Sequence, residues 1–304
     1  MDNRKIFFTM ESFVTHELSN PIGVVCHDAG GTNQILAMLR HTHIDNVLAY
    51  MEGPAKVLWN NVFSGNYVFN NLSELLAKAT TLITGTGWGS NLEHVARMGA
   101  KDKGIYSIAV LDHWTNYEER FFRGSEMVLP DELWVVDKYA LQLARNTFPS
   151  LKITLIPDFY ADQQVKMIAP VAEANELLYL LEPTRSDWGR DEPGEFQSFR
   201  YFFERLPQLS LPAETVIRLR PHPSDSPGKY DLFLGEFARH PILLDTDNLA
   251  QSLSRARWVV GCQTYAMTLA LKSNRTVYCS LPPWAPVCKL PHDGLIHIKE
   301  FVVA

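Results

Sequence analysis

Several short stretches of this chain carry side chains able to do chemistry. His27-Asp28-Ala29-Gly30-Gly31 follows the apolar run Ile22–Cys26. An imidazole or carboxylate at that lip can take a proton from an attacking hydroxyl, so His27 and Asp28 are candidate general bases. Gly30 and Gly31 let a ligand or backbone come close, and the helix that follows offers free N–H groups. The structural alternative is that Asp28 caps this helix and His27 packs. In "TVIRLRPHPSD", Arg218 and Arg220 lie two apart and share one face of a strand. Two guanidiniums there must meet carboxylates or phosphates. His222, fixed between Pro221 and Pro223, suits a phosphate leaving group, to which it can give a proton or a hydrogen bond. Gln263 and Thr264 precede an apolar helix and form a candidate anion site. In "LEPTRSDWGRDE", Arg185 and Trp188 can hold a phosphate or stack on a ring.

Two further stretches suit a substrate wall. "VLDHWTNYEERF" places Asp112 and His113 at a strand end, with Trp114 beside them. The alternative there is a structural loop. "ITGTGWGSN" invites comparison with a dinucleotide-binding loop. Its spacing is GxGxG rather than GxGxxG, Trp88 fills the turn where a pyrophosphate needs the backbone, and the loop follows the fourth strand instead of the first. We therefore expect it to wall the acceptor side, facing Asp28 beside Asp112 and His113, with Trp88 as a stacking face and Ser90 as a hydrogen-bonding group. Asp245-x-Asp247 mimics a metal-binding DxD pair, but a helix N-cap explains it more simply. No Walker A sequence and no GxSxG elbow occur.

The elements needed to position these residues are legible in the hydrophobic pattern. Strands are expected at 22–26, 47–50, 67–69, 81–84, 105–111, 133–136 and 153–156, with helices at 32–40, 54–62, 72–79, 91–98 and 140–148. After a less regular stretch (157–174), a second series follows. Its strands are 177–181, 215–219, 242–244, 258–261, 276–280 and 296–298, and its helices are 195–206, 230–239, 249–255 and 265–272. Such alternation means α/β, with parallel sheets covered on both faces. It implies two Rossmann-like domains, 1–165 and 166–304, facing a cleft lined by the carboxyl ends of both sheets.

Composition bounds the partners. The chain has 304 residues and a formal net charge of −6. That charge argues against a nucleic-acid partner, so an anionic ligand must be held by local arginines, histidines or helix ends. Cys26, Cys262, Cys279 and Cys288 show neither CxxC nor metal spacing and read as buried, reduced thiols of a cytoplasmic protein. The start, "MDNRKIFFTMESF", has no signal-peptide pattern, and no run is long enough for a membrane span. Peripheral contact at the inner membrane face stays open.

Taken together, the loops resemble the GT-B-fold glycosyltransferases of bacterial surface glycans, in particular the sialyltransferase-like and capsule-assembly groups. On that resemblance, Asp28 matches the acid that serves as base, in "HDAGG" rather than the family's acid-acid-glycine motif. His222-Pro223 matches the His-Pro motif at the nucleotide phosphate. Gln263-Thr264 matches a Ser/Thr pair, with one hydroxyl instead of two. The resemblance implies a GT-B-like fold and an inverting glycosyltransferase that needs no metal or other cofactor. Its donor would be a nucleotide sugar, CMP-linked acidic sugars ahead of UDP-sugars, and its acceptor a glycan or lipid-linked glycan. Arg185, Arg218, Arg220, His222, Pro223, Gln263 and Thr264 would then serve the donor, and Gly30, Gly31, Trp88, Ser90, Asp112, His113 and Trp114 the acceptor. A non-hydride nucleotide-sugar epimerase, a non-catalytic sensor and a nicotinamide oxidoreductase are the competing readings.

Overall fold

The computed structural model describes residues 18–44, 46–63, 68–189, 191–237 and 240–301. The sequence start read for a signal peptide lies outside them, as do Tyr67 and the end of the helix expected at 230–239. The chain divides into two compact units, Met1–Tyr160 and Ala161–Ala304, five residues from the expected boundary.

Among the described residues, the first unit builds one sheet from β1 (Ile22–Cys26), β2 (Val47–Met51), β3 (Thr81–Thr84), β4 (Tyr106–Leu111), β7 (Glu132–Val135) and β8 (Lys152–Leu155). Strands β5 (Phe122–Arg123) and β6 (Glu126–Met127) form a separate small ribbon. The order is β2-β1-β3-β4-β7-β8 and every pairing is parallel. The helices are α1 (Ala29–Thr42), α2 (Gly53–Phe63), α3 (Leu72–Leu76), α4 (Leu92–Lys103) and α5 (Lys138–Thr147), with α6 (Phe159–Lys166) following. β1, β3 and β7 are buried throughout, as continuous apolar strands covered on both faces should be. Residues of this sheet alternate between two cores. Val24, Ile83 and Val110 pack with Ile35 and Leu39 of α1, while Val25 and Leu82 pack with Leu75 and Ala96.

The second unit orders its sheet β11-β12-β10-β9-β13-β14-β15. These strands are β9 (Glu176–Leu180), β10 (Ile217–Arg220), β11 (Gly235–Phe237), β12 (His240–Leu244), β13 (Ala256–Gly261), β14 (Thr276–Cys279) and β15 (Leu295–His297). Only β11 runs antiparallel, at one edge. Its helices are α7 (Gly194–Arg205), α8 (Leu249–Arg255) and α9 (Tyr265–Lys272). Tyr179, Phe199, Phe202 and Leu219 fill its core, each worth roughly 1.5–3 kcal/mol of burial.

One expected helix is corrected. Residues 230–239 form a single 3-10 turn, Asp231–Phe233, and then β11. Tyr230 is drawn into the core, and Gly235 at φ +129° turns the chain into the edge strand. The strand expected at 67–69 is reduced to one bridge between Ala49 and Val68.

In the first sheet, and among the parallel strands of the second, the strand order reverses once, leaving a switch point where loops diverge and ligands bind in open α/β folds. In the first unit it lies between β1 and β3, and in the second between β9 and β13.

Candidate functional site

The first switch point holds His27 and Asp28 on one side and the Gly85–Asn91 loop on the other. Asp28 is the N-cap of α1 with extended backbone, yet its side chain makes no capping bond. Its Oδ1 lies 2.6 Å from His27 Nδ1 instead. A carboxylate only accepts, so Nδ1 donates, and in the neutral imidazole the lone pair of His27 is on Nε2. That nitrogen abuts the backbone of Gly53, where a Cβ would come within 2.6 Å of it. Asp28 points the other way, and a Cβ on Gly87 would overlap its Oδ2. His27 thus orients Asp28, which keeps 35% of its side chain exposed. The carboxylate also occupies the place where a pyrophosphate would need the glycine backbone, which argues against the dinucleotide reading.

The glycine loop faces Asp28 and neighbours Asp112, as expected. A Cβ on Gly30 would overlap Asp112 Oδ2, while Asp112 Oδ1 is 3.3 Å from Arg120 Nη1. Gly31 packs against Gly85, its own Cβ position 2.9 Å from the Gly85 Cα. Arg120 also donates to the Thr86 carbonyl, and its guanidinium lies 5.8 Å from the Trp88 ring centre. Trp88 is half exposed, an open aromatic face. Ser90 spends its hydroxyl accepting from the Leu92 amide at the start of α4. His113 Nδ1 accepts from the Trp114 amide at 2.9 Å. Trp114, expected on the acceptor wall, is buried instead, with Nε1 donating to Asp137 at 2.7 Å.

The sequence reading missed Glu93, in the first turn of α4. It is 2% exposed and its Oε1 accepts from the His27 amide at 3.1 Å. Burial pushes its titration from the usual 4.5 up to about 7. The His27 amide, Arg97 and the Gly87 amide pull it back, and the charge of Asp28 adds to the rise. Arg97, one turn on and 1% exposed, donates to the Thr84 hydroxyl and the Gly85 carbonyl. The available signal was an acid among the first residues of a helix opened by a glycine loop.

At the second switch point, three of the expected donor-side residues, Arg185, His222 and Gln263, share one network. The Gln263 amide donates to Glu182 Oε1 at 3.2 Å, and Arg185 donates to Glu182 Oε2. The Arg185 amide donates to Glu195, which lies 3.0 Å from Lys229, itself paired with Asp225. Asp225 accepts from the His222 amide at 2.9 Å, so Pro223 sits inside an anchored turn. The Ser224 amide can only donate, and it reaches His222 Nδ1 at 3.2 Å. Neutral His222 therefore carries its proton on Nε2, in the state suited to hydrogen-bonding a phosphate. Thr264 is the N-cap of α9, but its hydroxyl makes no capping bond. Trp188 is packed on the Gly194 backbone.

Arg218 and Arg220 share a face, as expected, but carboxylates of the same unit meet both. Arg218 pairs with Glu176 at 2.6 Å, low on the sheet. Arg220 pairs with Asp245 at 2.6 Å and donates to the Asp247 carbonyl. Arg255 closes the network on Glu176, Asp245 and Asp247. The Asp245-x-Asp247 pair is thus committed to arginines, and Asn248 forms a capping box with Gln251. Among the described residues, no three His, Cys, Asp or Glu are placed to hold a metal.

No protein-family model and no curated protein matches this chain. Solved structures share its fold. A Listeria monocytogenes protein assigned as a UDP-N-acetylglucosamine 2-epimerase aligns at 12% identity and TM-score 0.57, over 84% of this chain and 78% of that one. The UDP-GlcNAc 2-epimerase of Neisseria meningitidis, solved with UDP-GlcNAc, aligns at 9% and 0.53, over 85% and 81%. MurG of Acinetobacter baumannii aligns at 11% and 0.51, over 85% and 78%. At such identities the likeness is one of fold, and the fold is the GT-B-like pair of Rossmann-like units that the sequence implied.

Proposed function

We propose that this chain is an inverting glycosyltransferase that moves a sugar from a nucleotide-sugar donor to a hydroxyl acceptor. The observation that carries the reading is Asp28, an N-cap carboxylate that does not cap. It is turned by His27 to the switch point of its sheet and walled by the glycine loop. In this role Asp28 takes the acceptor proton as the hydroxyl attacks, which places it ahead of His27, Asp112 and His113 as the base. His27 is paired through Nδ1 with Asp28 itself, Asp112 is engaged by Arg120, and His113 Nδ1 is already an acceptor. In the second unit, His222 Nε2–H, Thr264 and the positive end of the α9 dipole receive the departing phosphate, a set of groups that needs no metal. Arg185, Gln263 and Glu182 shape the same edge.

The loop resemblance favours a CMP-linked acidic sugar, while the structural neighbours are named for UDP-sugars, so both donors belong in the assay. The acceptor is a glycan or lipid-linked glycan, stacked on Trp88. No described helix is long and apolar enough to cross a membrane, so a lipid-linked acceptor would be met from the membrane surface.

One observation favours a second reading. Asp28, Glu93 and Asp112 gather three carboxylates at one switch point, a set able to move protons on a sugar ring, as a non-hydride epimerase must. Release of nucleotide from CMP- and UDP-sugars should depend on acceptor, and Asp28→Asn should lower kcat by roughly 10²–10⁴-fold. His222→Ala should slow release of the nucleotide. Conversion of a UDP-sugar without acceptor would replace the transferase reading with the epimerase one, and absence of any turnover would end both.

A further inference from the structure

We propose that Glu93 is a positioning residue for Asp28, holding the first loop through the His27 amide and the glycine loop through its packing against Gly85. This rests on the reading of Asp28 as the base. Three observations carry it. Glu93 Oε1 is the acceptor for the amide one residue before Asp28. The same atom lies where a Cβ on Gly85 would come within 2.7 Å. Arg97, four residues on, ties α4 to that loop through the Thr84 hydroxyl and the Gly85 carbonyl. One helical turn therefore sets the mutual position of the two loops that make the switch point.

The local cost argues for a task. The Glu93 carboxylate is buried beside the Gly87 amide, and Arg97 Nη2 is buried without a hydrogen-bond partner. Two apolar side chains would fill this space more cheaply, and departures from full satisfaction concentrate at functional sites. The titratable and charged groups around Glu93 are Cys26, His27 and Asp28 from β1 and its loop, and Arg97 from its own helix. Asp112, at the end of β4, bears on Cys26 as well. When Glu93 is ionised, its bond to the His27 amide is charge-assisted and strong; when it is neutral, the bond weakens. Burial places that change near neutrality, up to about 7.

The test compares the whole wild-type chain with Glu93→Gln and Glu93→Ala, after thermal melting has given the folded fraction of each. Glutamine keeps the acceptor oxygen and removes the charge. Wild-type kcat should rise through pH 7, while Glu93→Gln stays at the wild-type low-pH level throughout. Glu93→Ala should lower kcat by about 10–100-fold, since misplacement of ~1 Å can cost 10²-fold. The donor KM should be unchanged in both variants. Nitrogen-15 NMR of the His27 amide gives a readout independent of turnover, with a titration step near pH 7 in wild type that is missing in Glu93→Gln. An identical step in both proteins, or an identical kcat profile, overturns the role of Glu93. A wild type that turns over no nucleotide sugar, yet shows the step, refutes the transferase reading and leaves the positioning intact.

Discussion

Glu93→Gln should make the first unit more stable, and increasingly so as pH rises. The folded chain keeps the Glu93 proton up to about 7, whereas an unperturbed glutamate releases it near 4.5. Between those values the native state binds more protons than the unfolded state, so wild-type stability falls with rising pH. The contribution is fully present below 4.5 and lost once pH passes about 7. At 1.36 kcal/mol for each tenfold change, the full displacement amounts to about 3 kcal/mol. The group is 2% exposed, so solvent screening does not reduce this figure. Attraction to Arg97 is already contained in it, since that attraction is one of the effects holding the titration down. Glutamine stays neutral and still accepts from His27, so it escapes the loss. Urea unfolding followed by tryptophan fluorescence, at pH 5 and pH 8, should show the variant's advantage growing by about 2–3 kcal/mol. A constant difference between the two pH values would mean that Glu93 titrates as an ordinary glutamate and would refute the argument.

Gly87→Ala puts a methyl on Asp28 Oδ2 and should cost about 10²-fold in kcat with donor binding kept, a split that steady-state kinetics and calorimetry resolve. Arg220→Met removes one partner of Asp245, whose side chain is fully buried. Because Arg255 and Ser252 still hold that carboxylate, denaturation should show a loss of about 2–3 kcal/mol, below the 3–5 kcal/mol of a fully orphaned charge. Trp88→Ala should raise the acceptor KM and spare nucleotide binding; loss of nucleotide binding alone would return the glycine loop to a dinucleotide role.

The layout of the fold was legible because fully buried parallel strands are written as unbroken apolar runs. Thr81–Thr84, Leu249–Arg255 and Tyr265–Lys272 lie where the pattern puts them. Residues 230–239 misled because Tyr230, Phe233 and Phe237 mimic a helical stripe, while Gly235 turns the chain into an edge strand. The convergence of His27, Asp28, Gly87 and Asp112 followed from their places after strands of one sheet. What single loops cannot display is who pairs with whom across the sheet. Arg218 looked like a phosphate ligand because Glu176, 42 residues away, is invisible as its partner until the register is known. Trp114 looked like a wall because nothing local announces Asp137. Glu93 went unnoticed because an acid in a first helical turn is ordinary, and only burial makes it unusual.

Gly30, Gly53 and Gly87 each stand where one added carbon would strike Asp112, His27 or Asp28. The candidate groups are therefore located by side chains that are not there, and on the proposed function the site can be lost without touching any of them. A larger residue at position 87 is compatible with this chemistry only in a chain whose position 28 has changed as well. Positions 30 and 112, and positions 53 and 27, are bound in the same way. Among chains descended from a common ancestor with this one, these three pairs should vary together or stay fixed together. On the proposed function, a lone substitution at one of these glycines is expected only in a descendant that keeps the fold and has lost the reaction.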